Sequence, residues 1–443
     1  MQYILSKVPS VVGQGTKGRY TVGSFLGGGG QGEVYVASTE GQDLALKWYF
    51  PETATTAQQA ALEDLVQRPA PDERFLWPIE LVKADDNIGG FGYVMPLREQ
   101  RFHSLFDLMK GRVDPSFRTL LTAGIALADS YWHLHAKGLC YCDISFGNAF
   151  FDPQTGDVAI CDNDNVTIDK KSDGRVCGTP RFMAPEVVLG APPSSDSDRF
   201  SLAVLLFYML HLHHPLEGAK EQAIRCLDLV ALRKLFGEEP VFIFDPVDAS
   251  NRPVRGVQDN AEAYWKIYPQ SLHDLFTRVF TVGLRDPQSG RVRETEWRKE
   301  LARVRDAIFY CPSCAKENFY DPKDLDATGV PKRPCWACGK KLKLPFRLRL
   351  NGSEMVMLNH DTRLFGHHLG GATQQFDFTV PLAAVARHPS DPARWGLQNL
   401  STTSWFFTPG DGTSAIEIGP GKTMGLVKGG KISFGPVSGE IRV

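Results

Sequence analysis

A run of four glycines raises the first chemical question. In "LGGGGQGEVY", Gly27, Gly28, Gly29 and Gly30 are followed by Gln31, Gly32, Glu33 and Val34. Glycine costs a chain conformational entropy, so four together need a reason. The flanking stretches "RYTVGSFL" and "EVYVAS" look like strands. The glycines therefore sit in a strand–turn–strand hairpin, spaced Gly27-x-Gly29-x-x-Gly32-x-Val34. Such a lid has no side chains, and its backbone N–H groups can approach phosphates closely. It opens no helix, unlike a dinucleotide-binding turn, and it lacks the Lys-Ser/Thr ending of a P-loop. A second chemistry lies near the other end. Cys311-Pro-Ser-Cys314 and Cys335-Trp-Ala-Cys338 are separated by 20 residues. That spacing suits a tetrahedral zinc held by two knuckles, and four thiolates make such a metal structural.

The elements that must hold these groups follow from pattern. Residues 18–50 alternate around glycines and predict hairpins. "TAQQAALEDLV" (56–66) has helical spacing. "FLWPIELV" (75–82) and "FGYVMPL" (91–97) predict strands split by the turn "ADDNIGG". From Phe102 to Ile308 the pattern is mostly helical, with stripes such as "FRTLLTAGIALADSYWHLHAKG". Residues 342–443 return to short strands with glycine and proline turns, and predict a separate β domain. The fold class expected is multidomain α+β: small β lobe, large helical lobe, metal knuckle, β domain.

Composition bounds the partners. The 443 residues carry a net charge of -2, which argues against a general nucleic-acid binder. The longest apolar stretch, "SLAVLLFYML", is too short to span a bilayer. "MQYILSKVPSVV" has no signal pattern, so the expected location is cytoplasmic, without a membrane partner. Cys140, Cys142, Cys161, Cys177 and Cys226 are scattered. They read as reduced thiols and not a disulfide frame, with a redox switch as the alternative at Cys140, Cys142 and Cys161. Seven Lys/Arg without an acid lie between Lys332 and Arg349; a solvated face is expected, a contact to nucleic acid or an acidic partner being the alternative. His211, His213 and His214 read as a solvated helix end, with a metal as the alternative.

Further motifs stand in one order after the glycines. Lys47 lies in "LALKWYF", on the strand after the hairpin. Asp143 and Asn148 lie in "YCDISFGN", after a long helix. Asp162 follows a short apolar strand in "VAICDND". "GTPRFMAPE" ends in Ala184-Pro185-Glu186, Asp198 heads a buried helix in "SDRFSLAVLL", and Arg291 lies in "DPQSGRVRETEW". Lys47 to Asp143 is 96 residues, Asp143 to Asp162 is 19, and Asp162 to Glu186 is 24. With these motifs, residues of roughly 18–308 resemble a eukaryotic-type Ser/Thr protein kinase.

The resemblance implies a bilobal kinase fold, with an N-lobe and its extension at 1–97 and a C-lobe at 98–309. A four-Cys zinc ribbon at 310–341 and an all-β sandwich at 342–443 would follow. It implies ATP, magnesium and protein substrates. Lys47 would hold the α/β-phosphates, with Glu63 as its helix carboxylate and Asp64 and Glu52 as rivals. Asp143 would accept the substrate hydroxyl's proton, steadied by Thr179. Asn148 and Asp162 would hold magnesium. Ala45, Val34 and Leu97 would border the adenine, with Met95 as gatekeeper and 96–99 as hinge. Glu186 and Arg291 would form a buried ion pair, and Asp198 would anchor the catalytic loop.

Three departures stand out. His-Arg-Asp is Tyr141-Cys142-Asp143, so the arginine that pairs with a phosphorylated loop is missing. The lysine two residues after the catalytic Asp is Ser145. Asp-Phe-Gly is Asp162-Asn163-Asp164, where Asp164 is either another magnesium carboxylate or a turn residue. These changes resemble a divergent bacterial branch. They also admit a second function, a nucleotide-binding pseudokinase scaffold that recruits partners through its C-terminal domains. Catalysis is favoured because Lys47, Asp143, Asn148 and Asp162 all remain.

Residues 212–270 exceed a minimal kinase and read as an insertion. In the last domain, "FRLRLNG", "TRLFGHHLG", "WGLQNLSTTSW" and "GGKISFG" resemble a forkhead-associated sandwich, with Gly366-His367 where that family has Gly-Arg. The whole combination resembles bacterial kinases of tellurite-resistance-type gene triads. It implies roles in signalling or stress response, beside a metal-dependent Ser/Thr phosphatase and a von Willebrand A-domain protein.

Overall fold

In the computed structural model, residues 4–84, 89–170, 178–370, 376–391 and 393–443 are described. Residues 85–88 of the expected turn "ADDNIGG", the segment 171–177 and with it Cys177 lie outside the described residues. Six antiparallel strands close a barrel at the start of the chain: β1 (Ser10–Gly13), β2 (Arg19–Gly28), β3 (Gly32–Thr39), β4 (Gln42–Tyr49), β5 (Glu80–Ala84) and β6 (Gly92–Pro96). Their order around the barrel is β1-β2-β3-β4-β6-β5. The sequence pattern missed β1, which pairs with both β2 and β5 and removes the open edge. Val11, Tyr20, Tyr35, Leu46, Val82 and Val94 fill the interior. The expected strand at 75–82 begins late, because Trp77-Pro78 precedes it and proline donates no ladder bond.

One helix, Thr56–Val66, accompanies the barrel. Thr55 caps it by accepting from the Gln58 amide at 3.1 Å. Its buried residues are Gln58, Leu62 and Leu65. The helical region contains Phe117–Ala136, with many buried apolar residues, and Ser195–His211, buried from Ser197 to His211 apart from Arg199. Ser194 and Ser197 form a reciprocal cap at its start. The three histidines at its end do not make a solvated surface. His211 and His214 are fully buried, His211 stacks on Phe207 at 4.2 Å, and His214 bonds the Arg181 carbonyl at 2.7 Å. Burial holds the His214 imidazole down to about 3, so it stays neutral. The aromatic residues around the helix, not the polar run "HLHH", decide its exposure.

The chain forms two compact units. The first comprises Met1–Pro115, Ala126–Asn260 and Phe276–Thr295; the second comprises Ser116–Ile125, Ala261–Leu275 and Glu296–Val443. This differs from the expected cut at 309, since parts of the helical region group with the C-terminal residues. The reason is aromatic packing within the second unit. Phe117 meets Tyr268 at 5.5 Å, Phe319 at 5.3 Å and Trp336 at 5.8 Å. Its backbone N–H also donates to Glu317 at 2.6 Å.

Residues 347–442 build two antiparallel sheets in the second unit. One has the order Glu354–Met357, Arg347–Leu350, Ser438–Arg442, Lys431–Ser433, Trp405–Thr408, Ile416–Ile418. The other has the order Arg363–Leu364, Ala383–Arg387, Trp395–Asn399, Thr423–Gly425. Leu348, Trp405, Ile441, Leu364, Leu397 and Met424 from both sheets share one apolar core. No helix among the described residues is long and apolar enough to cross a membrane.

Candidate active site

A cavity of about 760 Å³ lies in the first unit, and most of the expected phosphate and adenine residues line it. Gly27, Gly28, Gly29, Gly30, Gln31, Gly32 and Val34 form one wall, with Ala45, Lys47, Met95 and Leu97 beside them. Asp143, Asp162 and Thr179 lie on the same cavity. Its size suits a nucleotide-scale ligand.

The glycines divide into two kinds. A Cβ on Gly32 would stand 2.2 Å from the Trp48 carbonyl oxygen, so the β3–β4 pairing itself demands glycine there. A Cβ on Gly27, Gly29 or Gly30 would meet nothing within 4 Å. Packing does not require those three to be glycine.

The β4 strand carries Lys47 inward, where it is 5% exposed. Its Nζ lies 2.9 Å from Asp164 Oδ2, 3.1 Å from Gln31 Oε1 and 3.5 Å from Asp162 Oδ1. Burial opposes the ammonium charge, but the Asp164 and Asp162 carboxylates outweigh it and raise the Lys47 pKa. The Asp164 carboxyl is lowered in turn: its burial works against ionisation, and Lys47 and the Tyr49 hydroxyl overcome it.

Asp143 is fixed from two sides. Thr179 Oγ1 donates to its Oδ1 at 2.8 Å, and Asn148 Nδ2 donates to its Oδ2 at 3.0 Å and to its carbonyl at 2.8 Å. Burial pushes the Asp143 carboxyl above its ordinary range, against the lowering effect of the Thr179 and Asn148 bonds. The loop before it is anchored by Asp198, which accepts from the Tyr141 N–H at 2.5 Å and the Cys142 N–H at 3.0 Å. Cys142 adopts φ +72, a conformation that a side chain disfavours, so this anchor works against local strain. Arg291 holds Glu186 with two bonds, at 2.6 and 2.7 Å.

Several expectations require correction. Glu63 does not meet Lys47. It is exposed and bonds Gln59 at 2.9 Å, while Asp64 bonds Arg68 at 3.0 Å and Glu52 is exposed. The helix turns Gln58, not Glu63, inward. Of its two alternatives Asp164 takes the turn position, within Asn163–Asn165, and there it pairs with Lys47. It is fully buried, both its oxygens contact Lys47, and it does not line the cavity. Ser145 is also buried and off the cavity wall. Asn148 is buried too, but it is bonded directly to Asp143 on the cavity wall. Cys140 and Cys142 bring their sulfurs to 3.5 Å, and Cys140 is buried.

The sequence reading missed Asn165, Leu76 and Phe150 on the cavity. Asn165 Oδ1 accepts from Gln31 Nε2 at 3.2 Å, which ties the glycine lid to the segment after Asp162. Only its place two residues beyond "CDN" could have signalled it. Below the loop, His135 bonds Asp198 at 3.1 Å and Glu294 at 2.7 Å. Burial works against its charge, yet these two carboxylates push it up to about 9, and Glu294 is lowered to about 2. A raised histidine stabilises the fold fully below its unfolded pKa near 6.5, and that stability is lost as pH rises through about 9. Thermal unfolding from pH 6 to 10 is therefore expected to show wild type losing stability relative to His135→Gln, by roughly 3 kcal/mol in the limit. A pH-independent gap between the two would contradict the charge assignment.

In the second unit, Cys311 and Cys338 sulfurs lie 3.7 Å apart, as do those of Cys314 and Cys335. All four sulfurs fall within 4.8 Å of one another. Both knuckles repeat one backbone pattern: Cys311 N–H bonds the Lys316 carbonyl, and Cys335 N–H bonds the Lys340 carbonyl, each at 2.9 Å. A tetrahedral zinc with bonds of ~2.3 Å would set sulfurs about 3.8 Å apart, so the cluster has a suitable size.

Residues 20–253, just over half of the chain, match the protein kinase domain family. The chain is 26% identical over 227 residues to the DNA damage-responsive serine/threonine-protein kinase RqkA of Deinococcus radiodurans, covering 49% of this chain and 33% of that protein. It is 28% identical over 223 residues to CBL-interacting protein kinase 29 of Oryza sativa subsp. japonica, covering 46% and 48%. It is 28% identical over 220 residues to protein kinase C delta type of Mus musculus, covering 46% and 31%. The chain thus spans about a third to a half of the length of these relatives.

Proposed function

Because the chain belongs to the protein kinase domain family, we propose that it transfers the γ-phosphate of ATP to Ser/Thr hydroxyls of protein substrates. The observation that carries this reading is the shared cavity. The glycine lid, Lys47, Asp143 and Asp162 all border it, with Asp143 tied to Thr179. Phosphoryl transfer needs positioning and charge neutralisation more than covalent chemistry. Lys47 holds phosphate oxygens, and backbone N–H groups of 27–32 approach them from above. Asp143 orients the hydroxyl and accepts its proton. Its raised pKa makes it a better base than a free carboxylate. The Thr179 bond supports the Ser/Thr class.

Asp162 and Asn148 are suited to magnesium. Asp162 is about 40% exposed at its side chain and faces the cavity. Asn148 spends its amide nitrogen on Asp143, which leaves the amide oxygen for a cation. Magnesium there would neutralise phosphate charge. Lys47→Ala is expected to lower turnover by about 10²-fold or more and to weaken nucleotide binding, measured by initial rates at varied ATP. A variant with wild-type turnover would remove Lys47 from the mechanism.

The same reading extends to the second unit. Cys311, Cys314, Cys335 and Cys338 hold a structural zinc. Residues 342–443 form a forkhead-associated-like docking sandwich, which the strand order of the two sheets supports. His367 occupies that family's arginine position, half-buried between Phe376 and Phe378. Phosphate capture at His367 is therefore not part of this proposal; protein docking is. A metal-dependent Ser/Thr phosphatase and a von Willebrand A-domain protein are the proposed partners, in bacterial signalling or stress response in the cytoplasm. The deciding experiment incubates the purified chain with magnesium and γ-labelled ATP, with and without generic protein substrates. Label on serine or threonine supports the kinase; nucleotide binding without transfer leaves a pseudokinase scaffold.

A further inference from the structure

The carboxylate that holds Lys47 sits in an unexpected place. In kinases the lysine of this strand pairs with a glutamate on the neighbouring helix, and that pair is a point of control. Here the helix Thr56–Val66 offers no carboxylate to it. Its inward residue near the site is Gln58, which is neutral. Gln58 Nε2 lies 3.2 Å from the Tyr49 hydroxyl and 3.4 Å from the Asp164 carbonyl oxygen. Tyr49 in turn donates to Asp164 Oδ2. The helix therefore reaches the lysine's partner only through neutral groups.

Asp164 is delivered by a short, pinned turn. Asp162 takes a left-handed conformation, φ +52, and Asn163–Asn165 form one 3₁₀ turn. Asn163 is fully buried and donates to the Leu76 carbonyl at 2.8 Å and the Ile160 carbonyl at 3.1 Å. With Asn163 locked, Asp164 brings both its oxygens to Lys47 Nζ, at 3.1 and 2.9 Å. A buried ammonium needs a dedicated carboxylate, because an unpaired charge there is strongly disfavoured. Asp162 cannot be that carboxylate if it also serves a metal ion. Asp164 can, since both its oxygens already face Lys47 and neither reaches the cavity.

We propose that Asp164 is the positioning residue for Lys47, taking over the task of the helix glutamate, so that the lysine's charged partner comes from the turn after Asp162 and not from the helix Thr56–Val66. This rests on the phosphate-site reading of the cavity. The two replacements then explain each other. The third residue of "DND" is an acid because the helix carries none at the inward position, and Gln58 bonds the Tyr49–Asp164 pair without competing for the lysine.

The test compares Asp164→Asn, Glu63→Ala and the double variant Asp164→Asn/Gln58→Glu in the full chain. Transfer rates and affinity for a non-hydrolysable ATP analogue are both measured, across a magnesium titration. Asp164→Asn is expected to lower kcat/KM for ATP by about tenfold or more, with an unchanged magnesium midpoint. Gln58→Glu added to it should restore about fivefold, because a carboxylate returns to the helix, and a purely structural loss would not be rescued by moving a charge. Glu63→Ala should stay within about twofold of wild type. Three results would overturn the proposal: Asp164→Asn at wild-type efficiency, a loss cured by excess magnesium, or a large loss in Glu63→Ala. If Asp164→Asn does not fold, Tyr49→Phe replaces it and should cost about threefold or more in nucleotide affinity; no change would count against the proposal. A wild type that binds the analogue without transferring phosphate would sink the kinase reading alone, since analogue affinity still reports on Lys47.

Discussion

Replacing Asp143 by Asn is expected to abolish phosphoryl transfer while sparing nucleotide binding. The substitution keeps the size of the side chain; its amide oxygen can still accept from Asn148 Nδ2, while its amide nitrogen would donate to the Thr179 hydroxyl, reversing that bond. It removes the carboxylate proposed to accept the hydroxyl proton. Positioned bases contribute typically ~10²–10⁴-fold, and turnover should fall by about that factor. Lys47, the glycine lid and Met95 border the nucleotide part of the cavity and are untouched. Analogue affinity should therefore stay within about threefold of wild type. The pH dependence gives a second readout. Burial raises the Asp143 carboxyl above its ordinary range. Transfer by wild type should fall on the acid side as Asp143 takes up a proton, whereas any residual rate in the variant should lack that limb. Wild-type turnover in Asp143→Asn would remove the proton-acceptor role, whatever the affinity.

The residues most legible in the sequence were those tied to one another by chain order and chemistry. The glycine lid, Lys47, Asp143, Asp162 and Thr179 meet on one cavity because strand, loop and turn motifs place each by local backbone geometry. The lysine's partner was less legible. Choosing Glu63 treated charge as the signal, but helix phase decides which face is inward. Leu62 and Leu65 mark the buried stripe, and Gln58 lies four residues before Leu62 on the same face. Glu63 follows Leu62 directly and points about 100° away. Asp164 could not be found this way, because its bond to Lys47 joins residues 117 apart in sequence. Neither could the grouping of Ser116–Ile125 with the C-terminal residues, which depends on the aromatic contacts of Phe117. The polar letters of His211 and His214 concealed two buried rings for the same reason: only packing reveals what covers them.

Loss of one cysteine of the quartet is expected to release one zinc and unfold the knuckle region. The local apolar cluster is small: Phe309, Cys311, Cys335, Leu342 and Met357, with Tyr320, Leu344 and Met355 packed against it. Two of its five buried members are themselves metal-ligand candidates. Without metal, so small a core cannot offset the conformational entropy of ordering residues 310–341. Structural zinc contributes about 10–16 kcal/mol in comparable knuckles, more than enough to decide whether the segment folds. Reduced, chelator-free protein should therefore hold about one equivalent of zinc. Cys335→Ser removes a buried thiol of the quartet, and Cys338→Ser an exposed one. Both should lose the metal, which separates coordination from packing, because only the first also disturbs the apolar cluster. Protease sensitivity should rise between 310 and 341 in both variants and in wild type treated with chelator. Nucleotide affinity, read with the ATP analogue, should be retained. Metal content well below one equivalent in wild type, or a Cys338→Ser variant that keeps its zinc and its protease resistance, would show that the four thiols do not act as one site.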